Sequence, residues 1–413
     1  MLFAAFLWDY LFGRLIAKDE KRAKLWCGIA AAGNLALLGF YKYLAFVLET
    51  LHLPALSQPF ALPLGISFFT FHGISYLVDV YREPSRVCRR ADTLFLYLAF
   101  FPRLIAGPIV RWQDAAAQLA EHPISPEMTA AGLRRLVRGL LKKLLLAESA
   151  AAVANAVYAL APEQLGMGLA WLGAVSYCFQ IFFDFSGYSD MAIGIGMLFG
   201  FEFPENFNYP YVSGSVSEFW RRWHMTLNRW FVDYLYIPLG GSRCSRIRHI
   251  FNILVVWMAT GFWHGAAWNF VFWGLFYAVL LMAEKFFLLP ALKKGRVLPH
   301  VYVLLAVTLG FVLFDAASLK DALHQLGTLF GAGTASGLGT EALYMLRSYG
   351  VVLALAALGA TPLPAMLWKK VQEAKSLAPV LTVAEPLCTF ALLALCTAFL
   401  VDGSFNPFLY FRF

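Results

Sequence analysis

Charge is scarce in this chain. Only 14% of its 413 residues are Asp, Glu, Lys or Arg, where a soluble domain carries about 25%. That shortage, together with 60% hydrophobic residues and a mean hydropathy of +0.64, excludes a water-soluble globule. Strict apolar/polar alternation is missing too, so the long apolar runs are not strands of a membrane barrel, whose residues face lipid and lumen in turn. The cysteines at 27, 88, 178, 244, 388 and 396 form no CxxC pair and no Cys/His spacing suited to zinc, which argues against a disulfide framework or a structural metal. No internal repeat of solenoid or propeller type is present, nor two similar halves of the kind many transporters carry. A basic n-region and a cleavage site are absent around the apolar stretch Leu2 to Ala17, so it reads as a retained span and not as a signal peptide. There is no lipidation motif.

What remains is a series of apolar runs separated by basic clusters. The runs lie near 1–17, 26–50, 60–80, 94–110, 141–161, 170–200, 248–263, 266–289, 299–316, 341–362 and 379–401. They predict an all-α polytopic membrane protein of about 10–11 transmembrane or re-entrant helices around an internal funnel or cavity, forming one domain over residues 1–413. Clusters such as Lys18/Lys21/Arg22/Lys24, Arg82/Arg86/Arg89/Arg90, Arg134/Arg135/Arg138/Lys142/Lys143 and Lys285/Lys293/Lys294/Arg296 are expected on the cytoplasmic face. The net charge of +8 is then a loop property and not a sign of nucleic-acid binding. Leu51 to Phe60, without Lys or Arg, fits an outside loop. With 94–110 re-entrant, because Pro102 and Pro108 interrupt it, every later basic cluster falls inside and Phe413 outside.

Polar side chains within apolar spans need a reason to be there, since a centrally placed Asp costs roughly 2.5–3.5 kcal/mol on insertion scales. In Tyr177–Phe203, Gln180, Asp184, Ser186 and Asp190 lie among aromatics and glycines, with Gln180 and Asp184 on one helix face. They read either as the polar wall of a cavity or as hydrogen bonds tying this helix to its neighbours. The stretch 203–248 has the Trp, Tyr and Arg content of a cytoplasmic-side interfacial helix region. Within it Ser217 to Trp230 is compatible with one helix, placing Phe219, Arg222, Trp223 and Thr226 on one side, and Pro238-Leu239-Gly240-Gly241 ends it. Arg221 and Arg222 suit either the phosphates of a cytoplasmic ligand or anionic lipid. His264, in FWHGAAWNFVFWG, stands among Trp263, Trp268 and Trp273. It is either an acid–base group in a cavity or a packing histidine.

Taken together, LPLGISFFTFHGISYLVDVYR (62–82), FFPRLIAGPIVRW (100–112), FQIFFDFSGYSDMAIGIG (179–196), FPENFNYPY (203–211), EFWRRWHMTLNRWFVDYLYIPLGG (218–241) and WHGAAWNFVFWG (263–274) resemble the membrane-bound O-acyltransferase family. The resemblance is to its bacterial branch, which O-acetylates extracytoplasmic polysaccharides such as alginate and peptidoglycan. The terminal NPFLYFRF fits as well. The chain begins where a later hydrophobic segment of such proteins is expected, so its amino terminus reads as shorter than theirs.

The resemblance implies two functional histidines, His264 as the catalytic base and His224, in WRRWH, as its second member. It further implies acetyl-CoA as a cytoplasmic acyl donor, with no metal and no permanently bound cofactor. The remaining implied partners are a periplasmic O-acetyltransferase protein, an extracytoplasmic polysaccharide acceptor and membrane lipid, and the implied location is the bacterial inner membrane. Arg221, Arg222, Trp223, Gln180, Asp184 and Asn269 are the candidate substrate-binding residues. Two alternatives remain: D-alanyl transfer to teichoic acid from a carrier protein, and a non-enzymatic acyl or polysaccharide transporter.

Overall fold

The computed structural model describes residues 1–54, 61–160, 164–332 and 339–402. Helices and their connecting turns account for them, with no strand among the described residues. This follows from a solvent without hydrogen-bonding capacity, in which a helix satisfies its backbone internally. Residues 55–60 of the expected outside loop and the terminal NPFLYFRF lie outside the described residues.

Among the described residues, six helical stretches are long and apolar enough to cross a membrane: Glu20–Thr50, Met167–Leu198, Trp268–Leu292, Leu298–Asp315, Thr340–Gly359 and Ala378–Val401. The larger number expected from sequence also counted helices at the margin of that definition. Leu2–Lys18 and Ile66–Arg82 have 17 residues each, and Arg246–His264 opens on Arg246, Arg248 and His249. The run at 94–110 has the interrupted backbone that its prolines demand. A helix of 9 residues, Ala91–Ala99, stops at an extended Phe100. A short turn at Phe101–Arg103 follows, and helix resumes only at Trp112–Ala120. Pro102 has no N–H to continue the ladder of Ala91–Ala99, and nine residues are too few to span a bilayer.

The described chain divides into two compact units built from discontinuous segments: residues 1–132, 192–205 and 226–267 form the first, and 133–191, 206–225 and 268–413 the second. In the first, Leu2–Lys18, Ala23–Leu38 and Ile66–Arg82 enclose Ile16, Ala30, Tyr76, Leu77 and Val80. Their close approach requires small residues. A Cβ on Gly73 would meet the Asp9 carboxylate, which accepts a 2.7 Å hydrogen bond from Asn34 Nδ2. A second set of contacts fixes the interrupted segment: Tyr97 Oη donates to Val110 O at 2.9 Å, and the fully buried Arg103 guanidinium reaches His72 Nε2 at 2.9 Å and Tyr97 O at 2.5 Å.

In the second unit the start of Met167–Leu198 packs with Glu148–Tyr158 and Leu298–Asp315 through Val157, Leu169, Ala174 and Val312. Its two carboxylates, Asp184 and Asp190, are ion-paired. Lys143 Nζ lies 2.6 Å from Asp184 and 2.7 Å from Glu148, and Asp190 receives Arg135 at 2.9 Å and Lys142 at 2.7 Å. Lys142 and Lys143 begin a widened helical turn, Lys142–Ala147. Neutralising Asp190 leaves two cations facing each other across a buried site. Asp190→Asn is therefore expected to lower stability by about 3 kcal/mol, the lower end for a broken buried pair because Lys142 is partly exposed. A melting temperature in detergent equal to wild type would contradict this.

Candidate functional site

The stretch Ser217 to Trp230 departs from the single helix that its sequence suggests. Val216–Arg222 and Met225–Phe231 are separate helices, divided where His224 takes a left-handed backbone conformation, φ 43°. The break exists because another segment takes over the interrupted main-chain bonds. Asn208 N–H donates to Arg222 O at 2.9 Å, and Met225 N–H donates to Asn206 O at 2.9 Å. Phe219, Arg222, Trp223 and Thr226 consequently do not share one face. Thr226 belongs to the first unit, where its hydroxyl accepts from Ile109 N–H at 2.9 Å, while Trp223 belongs to the second. The glycine turn after the region is as expected, with Gly240 and Gly241 at φ 112° and 56°.

His224 is buried in the second unit. Its Nδ1 lies 3.0 Å from Asn206 Oδ1, and Asn206 Nδ2 donates to Ser189 Oγ at 3.0 Å. Because the Asn206 amide nitrogen donates to Ser189, its oxygen is the acceptor. With the Asn206 oxygen facing the ring, His224 Nδ1 is the donor in this contact. Phe185 packs edge-on against the imidazole at 4.7 Å. Residues held in the left-handed region away from glycine cost free energy and concentrate at functional sites. This one is sustained by the side-chain relay and the two backbone bonds.

The helix leading into His224 is also held at its start. Ser215 Oγ caps Glu218 N–H at 3.0 Å. The buried Glu284 carboxylate accepts from Val216 N–H at 2.5 Å, from Ser217 N–H at 2.9 Å and from the Ser217 hydroxyl at 2.6 Å. An acidic group at a helix N-terminus complements both the orphan N–H groups and the dipole. Partial burial works against ionisation of Glu218, but the Gly214 N–H and the Arg222 guanidinium outweigh it and hold its carboxyl below the ordinary value.

His264 lies in the first unit as the last residue of Arg246–His264, and it is buried. The aromatic rings beside it form a column. Trp230 stacks on Phe71 at 3.8 Å, Phe71 on Trp263 at 5.4 Å, and Trp263 meets the His264 ring edge-on at 4.9 Å. Trp230 Nε1 donates to Phe71 O at 3.0 Å, which fixes the column against Ile66–Arg82. Lys42 and Tyr43 reach the carbonyls of the same helix end.

The other sequence candidates sort by their neighbours. Arg221 is exposed. Arg222 pairs with Glu218 at 2.8 Å and reaches Asn208 O at 3.1 Å. Trp223 is packed on Phe219 at 5.5 Å and against Phe207 and Phe311. Gln180 is buried in the second unit, and Asp184 is held by Lys143. Asn269 Nδ2 donates to Ala316 O at 2.9 Å, joining the start of Trp268–Ala283 to the end of Leu298–Asp315. Asn206, Glu284, Lys42 and Tyr43 were not singled out from sequence. Asn206 sits within the quoted FPENFNYPY motif, and Glu284 and Lys42 are charges in apolar stretches, so each carried a signal.

The model for the MBOAT, membrane-bound O-acyltransferase family, matches residues 91–290, a stretch containing both histidines. A probable alginate O-acetylase of Azotobacter vinelandii is 39% identical over 345 residues, covering 80% of this chain and 69% of its own length. The peptidoglycan O-acetyltransferase of Helicobacter pylori is 35% identical over 375 residues, with 80% and 70% covered. A teichoic acid D-alanyltransferase of Bacillus subtilis is 29% identical over 272 residues, with 61% and 68% covered. The chain belongs to the membrane-bound O-acyltransferase family, and it is a multi-pass membrane acyltransferase. It spans about two thirds of the length of these relatives.

Removing the Glu284 side chain strands Val216 N–H, Ser217 N–H and the Ser217 hydroxyl. Glu284→Ala is expected to destabilise by about 3 kcal/mol, at the upper end for hydrogen bonds to a charged group. Glu284→Gln, which keeps one acceptor oxygen, should lose less. Equal melting temperatures for the two variants would refute the role.

Proposed function

We propose that this chain takes acetyl from acetyl-CoA at the cytoplasmic face of a bacterial inner membrane and passes it across or within the membrane for O-acetylation of an extracytoplasmic polysaccharide. The reading is carried by the two O-acetylating relatives, each matched over 80% of the chain at 35% identity or more. Similarity to the D-alanyltransferase is lower and covers less, which keeps a carrier-protein donor as the second reading.

In this mechanism His264 is the general base. As the acceptor oxygen attacks the thioester carbonyl, its proton passes to His264. The C–S bond then breaks and the proton returns to the departing sulfur, releasing CoA as a thiol. A positioned base contributes about 10²–10⁴-fold to such a step. His224 orients or polarises the thioester. Arg221 and Arg222, with Trp223, Gln180, Asp184 and Asn269, are proposed to receive the donor. Alginate, peptidoglycan or another exopolysaccharide is the final acceptor, reached with a periplasmic partner protein in a lipid membrane.

The test is thiol release from acetyl-CoA by purified protein, with the periplasmic partner present. His264→Ala is expected to reduce release at least about 100-fold with unchanged yield and melting temperature. Wild-type rates in that variant would overturn the assignment. Acyl transfer from a carrier protein, with none from acetyl-CoA, would establish the second reading.

A further inference from the structure

Lys42 is the only Lys or Arg between Lys24 and Arg82, and it lies inside the apolar stretch Glu20–Thr50. A cation in such a place marks a specific partner. The helix there widens into a single broad turn, Gly39–Tyr43, a distortion that recurs where a helix has to present side chains for function. From this turn Lys42 Nζ donates to Trp263 O at 2.6 Å and lies 3.4 Å from His264 O. Tyr43 Oη donates to Phe262 O at 2.6 Å. Two adjacent side chains thus reach three successive carbonyls at the end of Arg246–His264.

Those carbonyls belong to the last turn, which has no intrahelical donor for them. Here the negative end of the helix dipole also meets a positive charge. The Lys42 ammonium lies 6.0 Å from the Trp263 ring centroid, and Phe71 and Phe68 hold that ring at 5.4 and 5.7 Å. The backbone at 262–264 is thereby clamped by side chains, and His264 has its imidazole on the last residue of the clamped turn.

We propose that Lys42 and Tyr43 are positioning residues for His264, acting through the carbonyls of Phe262, Trp263 and His264 to hold the imidazole in its working orientation. This rests on the reading of His264 as the general base. A base displaced by about 1 Å loses up to roughly 100-fold in rate while donor binding is untouched. The effect therefore falls on kcat and leaves KM unchanged.

The experiment measures kcat and KM for acetyl-CoA, with melting temperature, in wild type, His264→Ala, Lys42→Met, Lys42→Arg and Tyr43→Phe. Lys42→Met is expected to lose roughly 10- to 100-fold in kcat at constant KM, Lys42→Arg to recover part of it as a retained cation, and Tyr43→Phe to lose several-fold. Should Lys42→Met fail to fold, Tyr43→Phe decides, because it deletes one hydroxyl at nearly constant volume. Full activity in Tyr43→Phe and, where it folds, in Lys42→Met overturns the proposal. So does a loss that appears in KM, or one that only tracks a fall in melting temperature. An inactive His264→Ala alongside fully active Lys42→Met and Tyr43→Phe refutes only the positioning role. An active His264→Ala refutes the functional reading itself.

Discussion

The structure depends on one constraint: a backbone group buried away from water has to find its partner within the protein, so each interruption of a buried helix must be closed by another part of the chain. The interruptions described here obey it. The open carbonyls at 262–264 receive Lys42 and Tyr43, the open N–H groups at 216 and 217 receive Glu284, and the break at Trp223–His224 is bridged by the backbone of Asn206 and Asn208. His224 and His264 both stand at such places. A histidine in mid-helix would be oriented by its rotamer alone, whereas one at a clamped helix end is oriented by the partners that close the gap.

The same economy governs charge. Asp184 and Asp190 would be costly as isolated carboxylates, and each is neutralised by lysine or arginine from the 126–158 region. The ion pairs tie this helix to its neighbours, one of the two readings that the sequence allowed for these residues. The polar relay Ser189–Asn206–His224 lies in the same unit and joins three segments that are separate in the chain.

Much of the architecture was legible because hydrophobicity is a local property. The apolar runs, the interruption at Pro102 and the glycine turn at 240–241 each follow from the residues on the spot. The continuous helix from Ser217 to Trp230 failed for the opposite reason. Nothing in EFWRRWHMTLNRW opposes helix locally, and the break is stabilised by bonds to a segment about 15 residues earlier in the chain. Lys42 was passed over because a single lysine in an apolar run has no spacing to interpret. Its partners lie more than 200 residues away.

By itself, then, the sequence determined the membrane class, the helical fold, the positions of most spans and, through its motifs, the family. These depend on composition, on short-range sterics and on runs of residues that can be read in order. Only the tertiary structure decided which polar residues are ion-paired, which residues surround His224, and which side chains hold the end of the His264 helix. Those outcomes are set by distances between residues far apart in the chain, and such distances exist only once the helices have packed.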